Sequence, residues 1–286
     1  MTLPQQGLSG MMAMSDGEFN GLRTLIHQRF GINLTEQKRS LLVGRLQKLM
    51  RTRGFTAFQQ YIDFLSGDNS EQGLSELVDL ISTNHTYFNR EKDHFTYFFE
   101  TALPTVINRL KQQNRKDLRI WCAGSSTGEE PYTLVMLMME YLGADYKNWD
   151  AGILATDISD RALSAARAGI YDQDRVDQLP ANLRTKYFSA AANGKLAVRE
   201  DVKREATYRR FNLMNTSFPF KNQFQIIFCR NVMIYFDQPT RDALVTRFHK
   251  HTEPEGYLFI GHSETLGRTQ SIYKYIQPAL YQKGDA

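Results

Sequence analysis

The sequence predicts an α/β protein: a doubly wound, mostly parallel sheet preceded by a helical unit and interrupted by a small antiparallel insert. Three observations lead there. Apolar residues recur at helical spacing through roughly the first 80 positions. From Leu118 the pattern changes to short apolar runs alternating with helical stretches, as in a parallel sheet covered on both faces. The length of 286 residues exceeds what one small core needs and suggests about two domains.

Each element has its own signal. Ser15 with Glu18 makes a capping box ahead of Phe19, Leu22, Ile26 and Phe30, and Gly31 stands where a helix should stop. A second helix is expected from about Glu36 to Arg51, and Phe55 to Leu65 and Leu74 to Ile81 supply further apolar faces. The connector Thr83-Asn84-His85-Thr86-Tyr87-Phe88-Asn89-Arg90 is too short and too aromatic for a free linker and is expected to pack. Leu118 to Cys122, Ile153 to Asp157, Tyr208 to Leu213, Ile226 to Cys229 and Tyr257 to Gly261 read as strands. Helices at Glu129 to Tyr141, Ser159 to Ala168 and Pro239 to His251 separate several of them. Lys186 to Arg199 breaks the alternation: Asn193-Gly194 signals a hairpin, which Val202 to Tyr208 would extend to three strands. Tyr273 to Gln282, carrying Gln277-Pro278, reads as a final antiparallel hairpin.

Composition narrows the function. Apolar content of 42% and charged content of 23% fit an ordinary globular chain rather than a disordered or fibrous one. No stretch approaches the roughly 18 apolar residues of a membrane span, and Met1 to Met14 lacks the basic flank and apolar run of a signal peptide, so a cytoplasmic location is expected. Cys122 and Cys229 end apolar runs and read as packed, reduced thiols. No zinc pattern occurs: His249 and His251 point apart on a helix, and His27, His85, His94 and His262 are scattered, so no metal is expected. A net charge of +4 is too small for a nucleic-acid binder.

Ligands of doubly wound sheets bind beyond the carboxyl ends of the strands. There stands Cys122-Ala123-Gly124-Ser125-Ser126-Thr127-Gly128-Glu129-Glu130-Pro131. Gly124 and Gly128 permit close backbone approach, and the following helix directs N–H groups at a ligand. A phosphate loop would need a lysine, and Glu129 and Glu130 would repel the phosphate. Such carboxylates suit a cationic ligand, and S-adenosylmethionine carries an ammonium and a sulfonium. Asp157, ending the second run, suits two ribose hydroxyls. The competing structural reading is that the glutamates favour a helix N-terminus and Asp157 caps the helix from Ser159.

Four motifs together resemble those of the CheR family, the chemotaxis methyltransferases that esterify glutamates on chemoreceptors. They are the segment Thr83 to Glu91, the loop Ser126-Thr127-Gly128-Glu129-Glu130-Pro131-Tyr132, Phe228-Cys229-Arg230-Asn231-Val232-Met233-Ile234-Tyr235-Phe236, and Gly261-His262-Ser263-Glu264. The resemblance spans nearly the whole chain. It implies a seven-stranded, class I S-adenosylmethionine-dependent methyltransferase sheet. It also implies a helical substrate-docking domain at 1–82, a connector at 83–92 contributing to the cofactor site, and a methyltransferase domain at 93–286 with a small antiparallel β-subdomain at 186–208. Carried over by position, the cofactor contacts are Asn84, Thr86, Arg90, Glu130, Asp157, Asn212, Leu213, Arg230 and Asn231. A substrate glutamate of pKa about 4.3 is already ionised at neutral pH, so the reaction needs alignment and desolvation rather than a base. Arg90, which would serve cofactor or substrate, and Tyr235 are the residues expected to provide it. The turn after the fourth strand lacks the prolines usual in enzymes that methylate base amino groups, and its Arg230 is expected to give a cationic rim suited to an anionic substrate.

Between Met1 and Ile81 the basic and acidic residues number eight each, yet six of the cations fall between Lys38 and Arg53 with no acid among them. On a helical wheel Lys38, Arg45, Lys48 and Arg51 occupy one side, and Leu42, Val43, Leu46, Leu49 and Met50 the other. The resemblance implies that this basic face docks on the acidic methylation region of the receptor's cytoplasmic helical bundle. The insert's compact turn, Ala190 to Lys195, departs from family members that hold a receptor's tethering peptide, so tight tether binding is not expected. A monomer with no nucleic-acid partner and no membrane insertion is expected. The alternatives are a non-catalytic scaffold or sensor that binds S-adenosylmethionine, and an RNA methyltransferase gripping phosphates with the basic helix.

Overall fold

A computed structural model of the chain describes residues 12–67, 70–82, 84–267 and 271–284. The chain forms two compact units, Met1–Ser82 and Thr83–Ala286.

The first unit holds α1 (Asp16–Phe30), α2 (Arg39–Arg53), α3 (Phe58–Ser66) and α4 (Ser70–Ile81). The capping box closes in both directions: Ser15 N–H donates to Glu18 Oε2 at 2.8 Å, and Glu18 N–H to Ser15 Oγ at 3.2 Å. Gly31, at φ 70°, ends α1 in the left-handed region. A short 3-10 turn, Glu36–Lys38, leads into α2, so the regular helix starts three residues later than the periodicity suggests. Phe19, Leu22 and Ile26 of α1 are buried, as are Leu42, Leu46 and Met50 of α2, Tyr61 and Leu65 of α3, and Leu77 and Val78 of α4.

The second unit opens with α5 (Lys92–Tyr97), a π turn at Phe98–Ala102 and α6 (Leu103–Gln112). Its sheet uses β1 (Asp117–Ala123), β2 (Asp150–Asp157), β6 (Ala206–Arg210), β7 (Phe224–Cys229), β8 (Thr252–Ile260), β9 (Lys274–Gln277) and β10 (Leu280–Gln282), in the order β6-β2-β1-β7-β8-β10-β9. β6, β2, β1, β7 and β8 run parallel, while β10 is antiparallel to both β8 and β9. Every residue of β7, at the centre, is buried, as both-face coverage requires. The crossover elements include α7 (Glu129–Leu142), α8 (Asp160–Ala168) and α12 (Gln238–His251). No helix among the described residues is long and apolar enough to cross a membrane.

Two strand expectations need correction. The third run ends earlier than Leu213: β6 stops at Arg210, and Asn212 Oδ1 accepts from Met214 N–H at 2.9 Å, an Asx turn that bends the chain off the sheet. The second concerns the small insert. Its hairpin is β4 (Phe188–Ala190) and β5 (Leu196–Val198), with Asn193 and Gly194 at φ 58° and 71°, but its third strand is β3 (Ile170–Tyr171). Val202 to Tyr208 instead supplies the end of α11 (Glu200–Lys203) and the start of β6, which pairs with β2 in the large sheet. Between these elements lie α9 (Gln173–Val176) and α10 (Ala181–Tyr187).

Candidate functional site

The β1–α7 loop closes over the carboxyl end of β2. Gly124 and Ser125 N–H donate to Thr156 O at 2.8 and 2.9 Å, while Ser126 N–H donates to Asp157 Oδ2 at 2.8 Å. Asp157 Oδ1 accepts from Ser159 N–H at 2.9 Å, so backbone donors reach both oxygens of this buried carboxylate. Ser159 is the N-cap of α8, its Oγ accepting from Ala162 N–H. At Gly124, φ 92°, a Cβ would meet Val232 Cγ2 at 2.4 Å, which holds the loop against the segment after β7. The hydroxyls of Ser125 and Ser126 are buried without a hydrogen-bond partner, and both belong to this loop.

The two glutamates opening α7 part company. Glu129 is fully buried, accepts from Thr127 Oγ1 at 2.7 Å and is ion-paired with Arg175 of α9. Arg175 also donates to Thr86 O at 3.0 Å, fastening the connector. Glu130 Oε2 accepts from Arg230 Nη1 at 2.7 Å. Arg230 Nη2 in turn donates to Glu91 Oε2 at 3.0 Å and to Arg90 O, and the guanidinium lies over the Phe95 ring. Arg230 is thus buried between two carboxylates and does not form the exposed cationic rim expected from the sequence. Burial pushes the Glu130 carboxyl up, with Arg230 opposing. Burial acts the same way on Glu91, but Arg230 and Asn231 outweigh it and hold that carboxyl below its usual value.

Glu264 organises the segment after β7. Its buried carboxylate accepts from Asn231 N–H at 2.9 Å, Ile234 N–H at 3.1 Å and Gly261 N–H. Asn231 sits at φ 59° and donates through Nδ2 to Glu91 Oε1 at 3.1 Å. A Cβ at Gly261 would meet Asn231 Nδ2 at 2.3 Å, so this crossing tolerates only glycine. Tyr235 ends a short 3-10 turn, Met233–Tyr235, half-buried beside exposed Ile234.

The connector is pinned by Phe88, fully buried and edge-on to Tyr171 at 4.9 Å and Phe188 at 5.6 Å. Asn84, Thr86 and Arg90 around it are half-buried, and Arg90 Nη1 donates to His85 O at 2.5 Å with its guanidinium against the Tyr87 ring. Across the sheet edge Leu213 is buried, and its carbonyl accepts from Arg247 at 3.0 Å. Thr86 joins Glu129 through Arg175, and Arg90 and Asn231 join Glu130 through Arg230 and Glu91.

In the helical unit the basic stripe is less uniform than its sequence. Arg45 Nη1 donates to Leu80 O at 2.9 Å and Ile81 O at 3.2 Å, capping α4. Arg39 pairs with Asp16 and Glu36, and Arg53 with Glu76, so acids from elsewhere in the fold compensate these cations. Lys48 and Arg51 are exposed, and Lys38 is half-buried.

The histidines are less scattered than their spacing implies: donor atoms of Glu91, His94 and His262 lie within 4.8 Å of one another. Glu91 Oε2, however, already accepts from Arg230 and from His262 N–H, so a cation there would have to displace a guanidinium. Both cysteines are free and buried, and burial pushes their thiols up. Glu91, Arg175 and Glu264 join the site only in the structure: Glu91 and Glu264 lie inside the segments Thr83 to Glu91 and Gly261 to Glu264, whereas Arg175 carries no local signal.

Buried carboxylates and unpartnered loop hydroxyls fit a ligand with hydroxyl and cationic groups. Residues 84–281 match the family model "CheR methyltransferase, SAM binding domain" and residues 17–82 match "CheR methyltransferase, all-alpha domain". The chain is 43% identical over 266 residues to a chemotaxis protein methyltransferase of Borreliella burgdorferi, covering 93% of this chain and 94% of the relative. It is 34% identical over 267 residues to chemotaxis protein methyltransferase 2 of Pseudomonas aeruginosa, covering 92% of each. With the chemotaxis protein methyltransferase of Escherichia coli it shares 32% over 273 residues, 94% of this chain and 92% of the relative.

Proposed function

The chain belongs to the CheR methyltransferase family, with S-adenosylmethionine as its cofactor, and from that premise we propose that it methylates glutamate side chains of chemoreceptors to methyl esters. The observation that carries this reading is the cluster at the carboxyl edge of the sheet, where Asp157 and the Glu130–Arg230–Glu91 network converge. When bound, S-adenosylmethionine supplies a methyl group activated by an adjacent sulfonium. Asp157, its orientation fixed by backbone donors on both oxygens, would hold the ribose hydroxyls. Glu130 receives the ammonium, a cation that offsets the cost of burying this carboxylate. Asn212, Leu213, Asn231 and the connector residues Asn84 and Thr86 complete the enclosure, with Phe88 and Arg175 as its anchors.

No group in the protein has to take a proton from a glutamate that is ionised at neutral pH. The residues' task is to strip water from the attacking oxygen and hold it in line. Arg90 and Tyr235 are assigned to that alignment. Arg230, committed to two carboxylates, is assigned to the cofactor side. Docking on the acidic helical bundle of the receptor falls to the exposed Lys48 and Arg51, with Lys38 beside them, because Arg45 is occupied in capping α4. A receptor's tethering peptide is not proposed as a ligand of β3-β5-β4: the turn between its hairpin strands is held tight by Ala191 N–H donating to Lys195 O at 2.8 Å.

The test is incubation of the protein with methyl-labelled S-adenosylmethionine and receptor-bearing membranes, followed by mild alkali. Volatile, base-released label on the receptor is expected. Base-stable label, or label appearing on RNA instead, would overturn the assignment.

A further inference from the structure

We infer that Glu91 is a positioning residue of the cofactor site: by holding Arg230 from the far side, it leaves Glu130 with charge to spare for the ligand's ammonium. The inference rests on the reading of Glu130 given above and concerns why that carboxylate works despite a guanidinium 2.7 Å away.

A Glu130–Arg230 pair alone is neutral and offers little to a cation. Glu91 makes it a triad with a net charge of −1, since Arg230 Nη2 reaches Glu91 Oε2 at 3.0 Å while Nη1 reaches Glu130 Oε2. The guanidinium is shared rather than forked on one partner, so Glu130 has one nitrogen facing it where a bidentate pair would present two. Glu91 is built for this place. Its backbone lies at φ 56°, a conformation uncommon for a side chain other than Asn or Asp, which turns the chain from the connector into α5. Its second oxygen accepts from Asn231 Nδ2 at 3.1 Å, and His262 N–H approaches the first at 3.3 Å. One carboxylate therefore joins three of the segments around the pocket: the connector, the turn after β7 and the turn after β8. The other groups facing Glu91 are His94, whose Nδ1 is 3.5 Å from Oε2, and, through His262, Asp93.

The ligands that test this share the nucleoside and the thioether and differ in the aminoacyl arm, whose ammonium Glu130 would hold. S-adenosylhomocysteine carries that arm with its ammonium and carboxylate; 5′-methylthioadenosine ends in a methyl group there and reports the nucleoside and thioether contacts alone. By titration calorimetry, Glu91→Gln is expected to weaken S-adenosylhomocysteine about tenfold, the worth of roughly one charge-assisted contact, and to leave 5′-methylthioadenosine within about twofold. Glu91→Asp, which keeps the charge, is expected to restore most of the difference and covers the case in which the glutamine variant does not fold. A loss shared equally by both ligands, or no loss for either, would overturn the role of Glu91. Glu130→Gln separates the layers: if it too fails to discriminate between the ligands, the reading of Glu130 falls, whereas if it discriminates and Glu91→Gln does not, only this inference falls.

Discussion

Acidification should destabilise this protein through one buried ring. His94 in α5 is fully buried, its imidazole edge-on to Phe259 at 5.8 Å and to His262 at 4.6 Å between centroids, with neither ring nitrogen hydrogen-bonded. Burial, reinforced by Arg230 and His262 and opposed by Glu91 and Asp93, depresses its pKa from 6.5 to about 4. The unfolded chain binds this proton near pH 6.5 and the folded one resists it until about pH 4. Stability is therefore intact above the upper value, falls through that window, and is fully forfeited below it. The whole gap is worth about 3 kcal/mol, of which about 2 kcal/mol is gone at pH 5. For a unit of about 200 residues this lowers the melting temperature by about 4–8 °C. Calorimetric melts of the wild type and His94→Phe from about pH 7.5 to pH 5 isolate the effect, because the phenylalanine cannot titrate while other groups stay the same. The two curves should diverge as pH falls, the variant losing less. Parallel curves, or a His94 ring resonance that titrates near its ordinary pKa, would refute the reasoning.

Other perturbations read other parts of the fold. Gly124→Ala drives a Cβ to 2.4 Å from Val232 in a backbone at φ 92°, and should cost about 1–3 kcal/mol by thermal melt and weaken S-adenosylhomocysteine at least tenfold by calorimetry. Phe88→Ala empties a fully buried site between Tyr171 and Phe188; a loss of about 3–5 kcal/mol in urea unfolding is expected, with faster proteolysis at the connector. Arg45→Met, which removes the donor to Leu80 O and Ile81 O, should destabilise the helical unit by about 1–2 kcal/mol in its own melt. Lys48→Glu with Arg51→Glu should leave that melt unchanged and reduce receptor methylation at low salt, with affinity for S-adenosylhomocysteine retained.

What the sequence made legible follows from the range of each interaction. The capping box of α1, the Gly31 stop and the Asn193-Gly194 turn are set by neighbours within a few residues, and they fold as read. The parallel strands announce themselves by apolar runs, and Asp157 and the pair Glu129 and Glu130 become candidates because loops at strand ends are where such sheets bind ligands, the choice of Glu130 coming from the family resemblance. Range is also what hides the rest. β3 is two residues long and carries no alternation to detect. Arg175 meets Glu129 from 46 positions away, on a helix of four residues. A helical wheel puts Arg45 on the basic side of α2 but cannot show that the last carbonyls of α4 lie under its guanidinium. Arg230 reads as an exposed cation until Glu91 and Glu130 are seen on either side of it.

The order of the last strands has a consequence for how the chain is made. β10 follows β9 in sequence yet lies between β9 and β8, with Leu280, Tyr281 and Gln282 opposite Phe259, Leu258 and Tyr257. During synthesis that side of β8 cannot receive its partner until residue 282 has left the ribosome, so an apolar strand edge stays open after the other parallel strands have emerged. An arrest of translation before residue 280 would leave that edge of β8 for chaperones or other nascent chains to pair with.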